Sequence, residues 1–149
     1  MNTHNIKVQR LSDKAIMPTK AHDGDAAYDL YCPEDTMVHI GRNLIRTDIA
    51  IAMPANICAF VRSRSGFSLF GVSGSDGTRH NARMVTGLID SGYRGNIGVI
   101  VESYETFTIA KGTRMAQLQF SYVPFTTLEE VDELDITDRK GGFGSTGTK

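Results

Sequence analysis

Apolar residues in this chain recur at every second position, over runs too short and too often broken by glycine to wind into a helix. Ile6 and Val8 alternate with polar neighbours, and apolar stretches follow at 37–40, 45–53, 57–61 and 96–101. Ala116, Leu118, Phe120 and Tyr122 then share one face of a segment that shows Gln117 and Gln119 on the other. Strict alternation is the period of a β-strand, whereas a helix face needs apolar residues three or four positions apart. Helical spacing is nearly absent; Leu128, Val131 and Leu134 carry a weak trace of it, flanked by threonine and acidic residues. Twelve of the fifteen glycines gather at 66–77, 87–98 and 141–147, as many short strands joined by tight turns require. The expectation is an all-β chain, a sandwich or jelly roll before a barrel.

A length of 149 residues supports one hydrophobic core and one domain. Hydrophobic residues make up 40%, charged residues 22%, and the formal net charge is -1, so the basic excess of a duplex DNA binder is missing and no nucleic-acid partner is expected. The first ten residues, MNTHNIKVQR, lack the apolar core of a secretory signal, and no apolar run reaches about 18 residues, so a cytoplasmic protein without a membrane segment is expected. Cys32 and Cys58 stand far apart without histidine at metal-ligand spacing, which points to thiols packed in strands.

Four segments hold chemistry-bearing side chains. GLIDSGYRGNIG at 87–98 reads as a β-hairpin whose turn, at Ser91 and Gly92, is flanked by Asp90 and Tyr93. Those two side chains either serve a site or merely cap and pack the turn. VRSRSGFSLFG at 61–71 alternates arginine with serine ahead of glycines. A guanidinium fork, a hydroxyl and freed backbone N–H groups suit a phosphate, although a solvated basic turn has the same wording. DAAYDL at 25–30, with Asp23 just before it, could gather carboxylates around a hard cation or simply make an acidic surface. The tail RKGGFGSTGTK at 139–149 is too rich in glycine to pack alone; it is either disordered or an arm that orders over a ligand.

The order of these segments resembles the five motifs of the trimeric dUTPase family along nearly the whole chain. AAYDLY at 26–31, RSRSGFS at 62–68, GLIDSGYRGNIGV at 87–99, KGTRMAQLQF at 111–120 and GGFGSTG at 141–147 are similar to the first to fifth motifs, and the RTDI wording at 46–49 also recurs there. Ser63, Phe67 and Gly92 depart from the commonest wording, and Arg139 stands one residue nearer the last motif than usual. The stretch between the second and third motifs is long, which predicts a surface loop near 71–83, a candidate contact for a protein partner.

The resemblance implies a jelly-roll-like distorted barrel of the β-clip kind, with residues 1–138 as its body and 139–149 as a mobile arm, assembled as a homotrimer with active sites at subunit junctions. It implies Mg²⁺-assisted hydrolysis of dUTP to dUMP and pyrophosphate, which limits uracil in DNA and supplies dUMP for thymidylate. By motif match Asp90 would be the general base, Tyr93 would pack under the deoxyribose, and the backbone of Gly87, Leu88 and Ile89 would read uracil. Arg64, Ser65 and Gly66 would hold phosphates, with Ser65 polarising the α–β bridge, and Gln117 would hold the attacking water. Asp29 would meet Mg²⁺ through water. Phe143 and Gly144 would cover the base, while Arg139, Ser145 and Thr146 would surround the γ-phosphate. Two rivals are a dCTP deaminase of the same fold and a dUTPase-like module that grips a regulatory protein.

Overall fold

The structure is a computed structural model, and it describes residues 3–144 and 147. Thirteen strands and one helix follow in chain order: β1 (Lys7–Arg10), β2 (Tyr28–Tyr31), β3 (Thr36–Val38), β4 (Gly41–Arg46), β5 (Ile49–Ala52), β6 (Ile57–Arg62), α1 (Ser65–Phe70), β7 (Val72–Ser73), β8 (Arg79–His80), β9 (Ala82–Val85), β10 (Gly87–Ile89), β11 (Gly98–Ser103), β12 (Phe107–Ile109) and β13 (Arg114–Tyr122). Every pairing is antiparallel. The all-β expectation holds, and no helix among the described residues is long and apolar enough to cross a membrane.

Two larger sheets face each other across the core. One has the order β10-β6-β13-β2, the other β4-β11-β9, and small ribbons β1-β5, β3-β12 and β7-β8 close the edges. Inward residues of both sheets meet in one apolar cluster: Leu30, Ala59, Val61, Ala116 and Leu118 from the first, Ile45, Val99, Val101, Ala82 and Met84 from the second. Leu30, Ile49, Ile97, Ile109, Met115 and Leu118 are almost completely withdrawn from water. Each such side chain contributes about 1.5–3 kcal/mol of burial free energy.

Strands pass between sheets at corners. β9 runs into β10 across Thr86 alone, yet β9 pairs with β11 and β10 with β6. The run at 45–53, expected as one strand, is likewise two: β4 ends at Arg46, and Asp48, at φ 58, turns the chain into β5. A left-handed backbone is rare outside glycine, and aspartate and asparagine tolerate it best among the rest.

The hairpin expected over 87–98 does not form. β10 lies on β6 and β11 lies between β4 and β9, so the turn after Ile89 is a corner joining the two sheets. Alternation and glycine mark where strands and turns fall, but they do not say which partner each strand takes. The loop expected near 71–83 is in part the β7-β8 ribbon, tied to the body by Val72, which is wholly buried, and by His80, whose ring stacks on Phe107 at 4.2 Å. Beyond Tyr122 the described residues form no helix or strand, and Leu128, Val131 and Leu134 make no helical turn.

Candidate active site

The outward face of β6, β13 and β2 collects polar side chains from distant parts of the chain. Arg62, Gln117 and Asp29 stand abreast in register. Directly paired residues of antiparallel strands point to the same face with Cβ atoms roughly 4.5–5.5 Å apart. Leu118, Val61, Ala116 and Leu30, one position on, fill the core behind them. Arg62 is committed sideways: its Nε donates to Gln119 Oε1 at 2.6 Å and its guanidinium lies 4.7 Å from the Phe60 ring centre.

Asp29 is the most constrained of the three. Its N–H donates to the Thr19 carbonyl at 2.7 Å. Its Oδ1 lies 3.1 Å from Arg64 Nε and its Oδ2 3.9 Å from Arg114 Nε. Oδ1 and the Arg64 Nε are both buried, close, and not aligned for a hydrogen bond. Opposite charges therefore meet with hydrogen-bonding capacity unspent, an arrangement that a further polar ligand would improve.

Arg64 sits where β6 gives way to α1, its extended backbone (φ -74, ψ 147) acting as the N-cap. The helix is invisible to periodicity because it is six residues long, anchored by the buried Phe67. Ser65 and Gly66 form its first turn, where backbone N–H groups have no partner within the helix. Arg64, Asp29, Gln117, Ser65 and Gly66 thus converge at one end of the sheet.

Asp90 and Tyr93 do not join them in the same chain. Gly87 pairs with Val61 and Ile89 with Ala59, so β10 runs away from the Arg64 end and Asp90 falls level with Cys58. Four residues of strand rise, roughly 13 Å, separate that level from Arg62 and its partner Gln117 at the Arg64 end. The turn itself is well defined: the Tyr93 N–H donates to the Asp90 carbonyl at 3.0 Å, and Arg94 donates to the Ser91 carbonyl at 2.6 Å. The Asp90 carboxylate is exposed.

Behind this turn lies a network that sequence reasoning missed. The Tyr93 hydroxyl donates to the Asn96 carbonyl at 3.1 Å. Asn96 Nδ2 donates to Asp48 Oδ1 at 2.9 Å and its Oδ1 accepts the Asp48 N–H at 2.9 Å. Asp48 Oδ2 accepts from Ser12 Oγ at 2.7 Å, and these bonds hold the Asp48 carboxyl below its usual range. Thr47 Oγ1 and N–H both donate to the Ile97 carbonyl, at 2.8 and 2.9 Å. The RTDI wording was the available signal, but nothing in sequence joins it to Asn96. Arg114 was also unassigned, although it lies inside the fourth motif, at 111–120.

Arg139, Phe143 and Gly144 are exposed on the tail, and Ser145 and Thr146 lie outside the described residues. Asp23 and Asp25 stay at the surface, Asp25 accepting the His22 N–H, and do not gather with Asp29. Among the described residues no three histidine, cysteine or acidic side chains could hold a metal together. Asp29, with one buried oxygen lacking a hydrogen bond, could offer a cation one carboxylate, and the cation's other ligands would have to come from outside the described residues.

Known proteins with the same pattern are numerous. The dUTPase family model matches residues 13–147. A deoxyuridine 5'-triphosphate nucleotidohydrolase of Syntrophotalea carbinolica is 41% identical over 155 residues, covering 99% of each chain. One from Clostridium tetani is 38% identical over 151 residues, again covering 99% of each. Among solved structures, the dUTPase of Staphylococcus bacteriophage 80alpha with dUPNHPP superposes with a TM-score of 0.84 at 28% identity, over 98% of this chain and 100% of that one. A dUTPase from phage phi11 of S. aureus, in which a structural Mg(II) ion is coordinated, gives 0.76 at 25% identity, over 89% of this chain and 99% of that one.

Proposed function

The chain belongs to the dUTPase family and hydrolyses dUTP, and we propose that it does so by attack of water on the α-phosphorus, giving dUMP and pyrophosphate. The observation that carries this reading is the face built by Asp29, Arg64 and Gln117. Strand register sets Asp29 beside Gln117, and Arg64, at the end of β6, meets the Asp29 carboxylate at 3.1 Å, so a carboxylate, a cation and an amide from three separate motifs come together, with the Arg64 guanidinium short of its full set of hydrogen bonds.

On this reading Asp90 takes a proton from the attacking water as its oxygen bonds to phosphorus, and the α–β bridge oxygen leaves with its electron pair on pyrophosphate. Arg64 and the first-turn N–H groups of Ser65 and Gly66 receive the charge that collects on the leaving group. The Ser65 hydroxyl polarises the bridge, and Gln117 orients the water or an α-phosphate oxygen. Mg²⁺, held mainly by the triphosphate and met by Asp29 through water, supplies charge neutralisation when bound. Gly87, Leu88 and Ile89 read the uracil edge through their backbone, and Tyr93 packs against the deoxyribose and excludes a 2'-hydroxyl. Phe143 and Gly144 cover the base, with Arg139, Ser145 and Thr146 around the γ-phosphate, when the 139–149 arm closes over an active site.

A gap of roughly 13 Å along the strand between the Asp90 level and Gln117 within one chain supports a centre made at a subunit junction, in a closed homotrimer. The test is pyrophosphate release measured side by side on dUTP, dTTP, dCTP and UTP, with and without Mg²⁺. Rapid turnover of dUTP alone is expected; ammonia release from dCTP in its place would sink the reading.

A further inference from the structure

Within the single chain the Tyr93 ring is nearly half exposed, so packing inside its own subunit does little to fix its direction. Two holds remain. Its hydroxyl is tied to the Asn96 carbonyl, and its ring folds back over Gly95, where an added Cβ would collide with the hydroxyl oxygen and come 2.6 Å from Cζ. Gly95 is thus required for close approach, and the ring goes where Asn96 goes.

Asn96 is itself clamped. Its amide forms a reciprocal pair with Asp48, donating through Nδ2 and accepting through Oδ1, both at 2.9 Å. Asp48 is in turn fixed by Ser12, by the Leu11 N–H donating to its carbonyl at 2.8 Å, and by its left-handed backbone. The next residue, Ile97, is bonded to Thr47 and, through its N–H, to the Ile49 carbonyl at 2.8 Å. A tyrosine on an exposed corner is thereby referred to the β4–β5 corner beside it, at the end of the β4-β11 ladder.

We propose that Asn96, backed by Asp48, is the positioning residue that aims Tyr93 and so sets the preference for deoxyribose over ribose. This rests on the reading above that Tyr93 meets the sugar. Excluding one hydroxyl by shape demands that the excluding ring be held to within a fraction of an ångström, because displacement by about 1 Å can cost a hundredfold in a reacting geometry. Neither Asn96 nor Asp48 needs to touch the nucleotide for this.

The clamp has a polarity that can be inverted. Asn96→Asp sets a second carboxylate against Asp48 and removes the donor. The double variant Asp48→Asn/Asn96→Asp restores a donor–acceptor match, because the amide placed at position 48 can donate to the new carboxylate and still accept from Ser12. The measurement is kcat/KM for dUTP and for UTP, with thermal unfolding recorded on the same samples. Asn96→Asp is expected to lower the dUTP:UTP ratio about tenfold or more, chiefly by admitting UTP, and the double variant is expected to return it toward wild type. Should Asn96→Asp not fold, Asn96→Ala removes the clamp without the repulsion and is read in the same way. Wild-type discrimination in the folded single variant overturns the inference, as does a double variant that regains stability but not the ratio. Tyr93→Ala separates the two layers. If it leaves the ratio unchanged, the sugar-contact reading fails and the inference falls with it; if it collapses the ratio while the Asn96 variants do not, the clamp alone is wrong.

Discussion

Arg64 shows how much one residue of the site depends on its surroundings. Its Nε faces a buried carboxylate oxygen 3.1 Å away without the alignment of a hydrogen bond, so the fork is oriented by charge and left with donors to spare. A lysine would carry the same charge but not the planar pair of donors. Arg64→Lys is therefore expected to lower kcat by about a hundredfold, comparable to losing one preorganised donor, with the thermal midpoint little changed. Steady-state kinetics and a melting curve check it; near-normal turnover would mean that Arg64 serves Asp29 and not a phosphate. At this scale the sequence is readable where chemistry is written in adjacent letters, as in RSRSGFS, and Asp29, Arg64 and Gln117 do share a face. It is silent on Arg114 and on the Asp48–Asn96 pair, because 48 positions separate the latter and only the fold makes them neighbours.

Among the elements, the β7-β8 ribbon departs furthest from expectation. A polar, glycine-rich stretch reads as a solvated loop, yet His80 Nε2 lies 3.1 Å from both oxygens of Asp76 and Nδ1 lies 3.5 Å from Glu105, while Glu105 also accepts the Asn81 N–H. An added Cβ at Gly74 would strike the His80 ring at 2.6 Å, so the ribbon closes only around a glycine. Hydrogen bonding to Asp76 raises the His80 pKa above 6.5, and the N–H of Thr78 with the His80 bond pulls Asp76 down to about 2. The raised imidazole adds stability that is complete below pH 6.5 and lost as pH climbs through its folded value; the depressed carboxyl adds stability present above 3.8 and lost toward 2. The ribbon is expected to be tightest from about pH 4 to 6.5, and to loosen above that window. Amide-exchange protection at Val72 and Ser73, followed with the His80 ring resonance, tests this: flat protection with a His80 midpoint at or below 6.5 contradicts it. The corner at 86–98 teaches the same lesson from another side, since its strands are legible in sequence but pair with β6 and β4 instead of with each other.

For the molecule as a whole, the distance between the Asp90 corner and the Arg64 end is the governing fact. If one subunit's Asp90 serves another's Ser65, inactive Asp90→Asn chains and inactive Ser65→Ala chains should repair each other. Unfolding the two together and refolding the mixture is expected to recover a substantial fraction of wild-type turnover, because some junctions then receive both intact side chains. No recovery, with mixed oligomers demonstrated by mass, would mean that each chain carries a whole centre. Register therefore has a consequence for behaviour in dilute solution. If the centre is completed between subunits, a polypeptide that keeps its base apart from its phosphate grip would have no catalytic life as a solitary particle, so specific activity should fall away as the protein is diluted below its assembly concentration, and scarcity alone would act as an inhibitor.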